Sequence, residues 1–152
     1  MTVKELGHLV LYVENAERSV RFYRDVLGWH QVLPAEGEPV GAVVGFSSGR
    51  THHELLLIEV GPGATPIPSG RRVGMYHFGL RVGDSDAELK DALERVVAAG
   101  ATVLGSSDHT VTHSVYIADP DGNEVELYID VPGVDWRNHP TLVGSAIKPL
   151  QL

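Results

Sequence analysis

The sequence has no cysteine and few positive charges. Its 152 residues include 12 Lys and Arg against 20 Asp and Glu, which gives a formal net charge of -8 with histidine counted as neutral. The absence of cysteine excludes disulfides, thiolate ligands and a cysteine nucleophile, so any metal must be bound by histidine and carboxylate. The scattered cations form no basic stripe for a phosphate backbone, and we expect no nucleic-acid partner.

Long apolar runs are also missing. No stretch approaches the length of a membrane span, and residues 1–6 show no signal-like pattern. We therefore expect no membrane association and a soluble, cytoplasmic protein. The hydrophobic fraction is 43% and the charged fraction is 21%, which is typical of one globular domain with a sizeable core.

The most informative feature that is present is a repeat. The stretch around His8 (GHLVLYV) resembles the stretch around His77 (YHFGLRV), 69 residues later (77 minus 8). In each half, a strand pattern is followed by a helix pattern that begins at a capping residue, has one apolar stripe and ends at a glycine. Three strand-like segments come after the helix. We predict an α+β fold of two βαβββ modules, which form a curved mixed sheet around a metal site.

The boundaries of this single domain, residues 1–152, follow from composition. Module 1 covers about 5–60, a Gly- and Pro-rich linker covers 61–75, and module 2 covers about 76–130. The first residues of the tail, 131–152, show no helical or strand periodicity of apolar residues. We expect the tail to wrap the domain or a partner subunit.

Three residues fall where a metal would need them. His8 and His77 occupy matching strand positions, and Glu126 alternates with apolar neighbours on the last strand. Two imidazoles and one carboxylate leave open coordination positions on a metal such as iron. A single strand histidine is more often structural, but the repeat together with the carboxylate favours the metal interpretation.

Four further side chains are candidates for the same site. His53 precedes a strand whose alternation places it on one face with Glu59, and an uncoordinated histidine near a metal suits proton transfer. Tyr116 comes ten residues before Glu126 on the neighbouring strand, where its phenol can donate to a ligand oxygen. His109 and His113 are weaker candidates for lining the site.

These motifs resemble those of the vicinal oxygen chelate superfamily, which includes glyoxalases, bleomycin-resistance proteins and type I extradiol catechol dioxygenases. The resemblance covers residues 5 to about 130, and its most specific part is the run YIADPDGNEVELY at 116–128. The chain looks like the single-domain catechol 2,3-dioxygenase branch at Gly7-His8, His52-His53, Tyr76-His77-Phe78 and Asp108-His109.

The resemblance implies an Fe(II)-dependent extradiol dioxygenase, with Mn(II) as a possible metal, that opens catechol or a substituted catechol with O₂ to a semialdehyde. It implies that His53 is the acid-base catalyst and that Tyr116 contacts substrate, while His109 matches a substrate-side histidine less securely. It also suggests a homodimer.

Two other functions stay open. In the glyoxalase I-like alternative, Glu59 supplies a fourth ligand and the metal is Ni(II) or Zn(II) in a lyase or isomerase. The second alternative is a non-catalytic small-molecule-binding resistance protein, which would not need His8, His77 and Glu126 together.

Overall fold

The computed structural model describes residues 1–35 and 37–152. The chain forms two compact units, Met1–Ile67 and Pro68–Leu152, and each is described by itself. The boundary between the units falls within the linker predicted for residues 61–75.

The first unit has the predicted order of elements. The elements are β1 (Leu9–Val13), α1 (Ala16–Val20), a π-helical continuation (Arg21–Val26), β2 (Gln31–Leu33), β3 (Val43–Phe46) and β4 (Leu55–Glu59). The sheet has the strand order β1-β4-β3-β2, in which β1 and β4 are parallel and the other neighbours are antiparallel.

The helix of this unit begins and ends as its sequence predicts, but its second half is wound as a π-helix. The Asn15 side chain accepts from the Arg18 backbone N–H and caps the first turn, and Gly28 with φ of 75° follows the last turn. The buried core of the unit combines helical and strand side chains: Val20, Phe22, Tyr23, Leu11, Val13, Val44, Phe46, Leu55 and Leu57.

The second unit repeats the order of the first, so the two predicted βαβββ modules are confirmed. The elements are β5 (His77–Gly83), α2 (Asp86–Ala98), β6 (Val103–Asp108), β7 (Thr112–Ala118) and β8 (Glu124–Asp130), followed by a 3₁₀ helix (Pro140–Gly144). The sheet has the strand order β5-β8-β7-β6, again with one parallel pair, β5 and β8.

The sheet of the second unit has one apolar face and one polar face. Alternation along the strands places the buried Val115, Ile117, Val125, Leu127 and Ile129 on the side of the sheet that packs against α2. The opposite side, called the polar face here, carries His77, Gly79, Tyr116, Glu124, Glu126, Tyr128 and Asp130.

A tight turn aligns the two strands that carry Tyr116 and Glu126. The buried Asp119 accepts hydrogen bonds from the backbone N–H of Asp121 and Asn123, and Gly122 adopts a φ of 88°. As a result, Tyr116 and Glu126 are directly opposite partners of the β7–β8 ladder, as the sequence predicts.

The tail contacts the second unit of its own chain. Backbone hydrogen bonds of 2.9 Å join Asp108 and Lys148 in both directions, which attaches the tail to the edge strand β6. Among the described residues, no helix has both the length and the apolar character that a membrane crossing requires.

Candidate active site

The structure brings two of the predicted metal ligands together on the polar face. His77 and Glu126 lie on the neighbouring strands β5 and β8, and the His77 Nε2 atom is 3.4 Å from the Glu126 Oε2 atom. Gly79, the ladder partner of Glu126, leaves room for this approach, because a Cβ at that position would lie 3.4 Å from Glu126 Oε2 and 3.2 Å from the Tyr128 ring.

This pair fits one side of a metal coordination sphere. Nitrogen and oxygen ligands bind divalent transition metals at about 2.0–2.2 Å, so two adjacent ligand atoms on one ion are separated by roughly 3 Å. His77 Nε2 and Glu126 Oε2, 3.4 Å apart, are therefore close enough to contact one cation.

Glu124 orients His77 and was not predicted from the sequence. It is the ladder partner of His77, and its Oε1 atom is 3.2 Å from His77 Nδ1. When Nδ1–H donates to Glu124, the lone pair of Nε2 is directed toward Glu126, as is common for metal-bound histidines. Strand alternation was the available signal, because residues 124 and 126 must share a face.

Tyr116 links Glu126 to His109. Its hydroxyl is 3.3 Å from Glu126 Oε1 and 2.6 Å from His109 Nε2. Burial, followed by the negative charge of Glu126, raises the pKa of Tyr116 to about 12. The phenol therefore stays protonated at neutral pH, and it can donate a hydrogen bond to a carboxylate or to a bound oxygen.

The loop between β6 and β7 holds His109 in place. Thr110 has a φ of 72°, which is uncommon for a β-branched residue, and its N–H donates to Asp108 Oδ1 at 2.6 Å. The backbone N–H of His109 donates to the Thr112 carbonyl at 2.9 Å. His109, a weaker candidate from the sequence, thus lies beside Tyr116.

The structure does not bring His113 to this cluster. It lies on the helix side of β7, one strand position out of phase with Tyr116, where its Nδ1 is 2.6 Å from Asp86 Oδ1 and its Nε2 is 3.7 Å from Asp108 Oδ1. Strand parity excludes it from the face that carries Glu126. We therefore leave His113 out of the substrate contacts.

The first unit holds a cluster of three histidines. The His53 ring centroid lies 4.4 Å from that of His8 and 4.4 Å from that of His52, whose Nδ1 is 2.6 Å from His53 Nδ1. His53 Nε2 is buried and has no hydrogen-bond partner among the described residues. Burial, then the nearby charges of His52 and His8, lower the pKa of His53, which keeps its imidazole neutral near pH 7.

Glu59 does not share the surroundings of His53, contrary to the expectation that both look inward. Its ladder partner is the buried Val13, and its Oε2 atom accepts from the Ala16 N–H at 2.7 Å at the start of α1. The alternation argument did not hold for His53 because this residue lies before β4 begins at Leu55.

The predicted triad is thus distributed over both units: His77 and Glu126 are paired in the second, and His8 belongs to the first. Within residues 1–35 and 37–152, no group of three or more His, Cys, Asp or Glu side chains has a geometry that would hold a metal ion. What the second unit offers by itself is one pair of neighbouring nitrogen and oxygen donors, His77 Nε2 and Glu126 Oε2.

The chain combines a duplicated βαβββ module with a histidine–carboxylate pair beside a tyrosine, and this combination points to one class of protein. The model of the Glyoxalase/Bleomycin resistance protein/Dioxygenase superfamily matches residues 5–127. The chain belongs to this superfamily, as its motifs predict.

Individual relatives of two kinds are similar to the chain. Catechol-2,3-dioxygenase of Bacillus subtilis is 34% identical over 87% of this chain and 44% of its own length. An iron-dependent extradiol dioxygenase of Rhodococcus jostii is 33% identical over 80% of this chain and 42% of its own length. The crystal structure of lactoylglutathione lyase from Agrobacterium tumefaciens is 32% identical, with a TM-score of 0.60 and coverage of 84% of this chain and 95% of that one.

The chain spans less than half of the length of the two dioxygenases. Residues 5–127, which the superfamily model matches, include every residue of the two clusters described above, since these lie between residues 8 and 126.

Proposed function

We propose that this protein is an Fe(II)-dependent extradiol dioxygenase that opens the ring of catechol or a substituted catechol with O₂ to give a semialdehyde. His8, His77 and Glu126 would hold the metal, with Mn(II) as an alternative to iron. His53 and Tyr116 would act on the substrate, and His109 would support Tyr116. The homodimer and the cytoplasmic location expected from the sequence stay predictions.

One observation carries this proposal, namely that the Tyr116 hydroxyl lies between Glu126 and His109. A protonated phenol directly beside a metal ligand can donate to an oxygen of a bound diol. His109 Nε2 in turn restrains the phenol, so the donor is held in position before substrate binds.

His53 has the properties of an acid-base group in this reaction. Its ring lies against that of His8, a proposed ligand, and its buried Nε2 atom has no partner in the described part of the chain. Its lowered pKa leaves a lone pair available at neutral pH to accept a proton from a catechol hydroxyl. The Nδ1 atoms of His52 and His53 lie 2.6 Å apart, so a hydrogen bond between the two rings would orient His53.

A bound Fe(II) would supply charge stabilisation for the catecholate and a site for O₂. The chain itself positions the diol, holds the phenol proton of Tyr116 and receives the substrate proton at His53. Glu124 keeps the His77 tautomer that directs Nε2 toward Glu126.

The test is anaerobic loading with Fe(II), followed by catechol and O₂, with O₂ uptake and visible absorbance of the product as readouts. We expect oxygen consumption and a yellow product. His53→Phe should keep the metal and lose most turnover, whereas His8→Ala, His77→Ala and Glu126→Ala should each lose the metal. Loss of metal in the His53 variant as well would contradict this division of roles.

A second candidate is a glyoxalase I-like lyase, which the likeness to a lactoylglutathione lyase structure over 95% of that chain favours. This function would require another ligand, and the sequence offers Glu59 for it. The Ala16 N–H at the start of α1 donates to Glu59 Oε2 at 2.7 Å, and this contact weighs against a ligand role for Glu59. Isomerisation of methylglyoxal-glutathione hemithioacetal under Ni(II), without any catechol cleavage, would favour this second candidate.

A further inference from the structure

A cavity of about 420 Å³ opens beside Glu126 on the polar face of the second unit. This volume falls within the range of about 300–1,000 Å³ that is usual for small-molecule sites. The sheet contributes Gly79, Glu126, Tyr128, Asp130 and Thr112, the β6–β7 loop contributes Val111, and the tail contributes Trp136 and Val143.

The tail forms the apolar wall of this cavity. Trp136 is partly exposed, and Val143, on the 3₁₀ helix, exposes 64% of its surface, so neither side chain is committed to the core of the unit. Val111 is 9% exposed and adds a third apolar surface. A partly exposed tryptophan at a cavity offers a large, flat surface with few rotamers, which suits an aromatic or alkyl group.

The charged side chains of the cavity are both acidic. Glu126 and Asp130 are among its lining residues, and no lysine or arginine is. Arg81, on β5, pairs with Asp84 and with Asp130, whose Oδ2 atom is 3.3 Å from Arg81 Nε. Arg81 does not line the cavity, and its two ion-pair partners would compete with a ligand carboxylate.

A second cation, Arg137, stacks on the ring of Trp136. The guanidinium carbon of Arg137 is 4.3 Å from the centroid of the Trp136 ring, and Arg137 is not one of the lining residues. This stacking stabilises the orientation of the indole and leaves the cavity itself without a positive side chain.

We propose that this cavity receives the ring substituent of the substrate, and that Trp136 and Val143 select an uncharged, apolar substituent over a carboxylate. The inference rests on the proposed function, because it takes Glu126 as the point where the diol is held. An anionic substituent would lose hydration against the tail residues, and the lining residues offer it no cationic partner in return.

The first test compares four diols: catechol, 3-methylcatechol, 3-phenylcatechol and 3,4-dihydroxybenzoate. Two quantities are measured on the Fe(II)-loaded protein, namely kcat/KM from O₂ uptake and anaerobic Kd from calorimetry. We expect the alkyl or phenyl diol to have a kcat/KM at least about tenfold higher, and a Kd at least about tenfold lower, than the carboxylate, since a lost apolar contact and an unpaired charge act together. A preference for 3,4-dihydroxybenzoate would overturn the proposal.

The second test replaces Trp136, the largest apolar side chain of the cavity. Trp136→Ala should weaken binding and turnover of 3-phenylcatechol by about tenfold or more, and those of catechol by less than about threefold. Trp136→Phe keeps an aromatic surface and should retain most of the preference for 3-phenylcatechol. It is the control for a general folding defect in the alanine variant. Equal losses for both diols in Trp136→Ala would overturn the selective role.

Val143→Ala has a matched control in the same unit. Val97 on α2 is 57% exposed, close to the 64% of Val143, and does not line the cavity. Val143→Ala should reduce the preference for 3-phenylcatechol by about threefold, and Val97→Ala should leave it unchanged. Arg137→Gln should not create or remove any affinity for 3,4-dihydroxybenzoate; a carboxylate preference that depends on Arg137 would contradict the proposal.

The anaerobic Kd measurement distinguishes a failure of this inference from a failure of the proposed function. If 3-phenylcatechol binds in a Trp136-dependent way but is not cleaved, the dioxygenase proposal fails and the assignment of the cavity stands. If catechols are cleaved without any effect of Trp136 or Val143, only the assignment of the cavity fails. If no diol binds, both are overturned.

Discussion

The two sheets share one topology and differ in the side chains at equivalent positions. β1-β4-β3-β2 in the first unit corresponds to β5-β8-β7-β6 in the second. Where the second unit pairs Tyr116 with Glu126 across its ladder, the first unit pairs Gly45 with Leu56. The repeat therefore conserves the backbone plan, while only the second unit carries a carboxylate and a phenol at this position.

The histidines at the start of each unit extend this comparison. His8 and Glu54 immediately precede the first ladder pair of their sheet, Leu9 with Leu55, as His77 and Glu124 precede Phe78 with Val125. Glu54 is bound by Arg50 at 2.8 Å, whereas Glu124 lies against His77. Equivalent carboxylates thus have different partners, and only one of them orients a histidine.

The largest effect should follow from making the second unit like the first at position 126. Glu126→Leu recreates the residue of position 56 and removes the oxygen ligand, so we expect nearly complete loss of metal after Fe(II) loading and desalting. Metal content by mass spectrometry is the measurement, and Glu126→Gln is the isosteric companion. Full metal retention in both variants would exclude Glu126 as a ligand.

A smaller loss should follow from Glu124→Gln. The carboxylate that orients His77 would be replaced by a neutral amide, and changes to such supporting groups typically lower metal affinity by about 10–100-fold. The equivalent variant of the first unit, Glu54→Gln, should leave metal affinity unchanged. Metal titration monitored by competition with a chelator compares the two directly, and equal losses would show that the difference between the sheets has no bearing on the metal.

Tyr116 gives a prediction for pH. Its folded pKa of about 12 lies above the ordinary value of 10.0, so the folded state binds its proton more tightly than the unfolded state does. The resulting stability is fully present below pH 10 and is lost as the pH rises toward 12. Ultraviolet titration of the metal-free protein should show a late-ionising tyrosine component that decreases in Tyr116→Phe, while the raised pKa values of Tyr76 and Tyr128 leave a remainder in both proteins.

The contrasting outcome for Tyr116 is a titration near the ordinary value. The difference between the wild-type and Tyr116→Phe titration curves would then equal the curve of one ordinary tyrosine. This result would show that burial and Glu126 do not raise the pKa of Tyr116. The donor role of Tyr116 in the proposed reaction would then lose its electrostatic basis.

Much of the fold was predictable because each element has a local signal. The two strand–helix–three-strand modules follow from strand runs, from caps at Asn15 and Ser85, and from stops at Gly28 and Gly100. The π-helical winding of Arg21–Val26 was not predictable, because its apolar spacing is also compatible with an α-helix.

The site was predictable where strand parity decides it, and not elsewhere. Parity places Tyr116 opposite Glu126, and the same rule would have indicated Glu124 and excluded His113. For His53 and His109 the rule does not apply, because both lie outside regular strands. The role of the tail depends on tertiary contacts of Trp136 and Val143, for which the sequence has no periodic signal.

The smallest expected effect concerns Glu59, the residue on which the lyase alternative depends. Glu59 accepts from the first N–H of α1, next to the Asn15 cap, and Ser85 has the capping role in α2. Glu59→Ala should lower the free energy of unfolding by about 0.5–1 kcal/mol, much as Asn15→Ala or Ser85→Ala would, and leave metal content unchanged. Denaturant unfolding and metal analysis on the same preparations check both parts. Because the two roles of Glu59 are separable by this pair of readouts, metal loss without any change in stability would transfer Glu59 to the coordination sphere and favour the lyase.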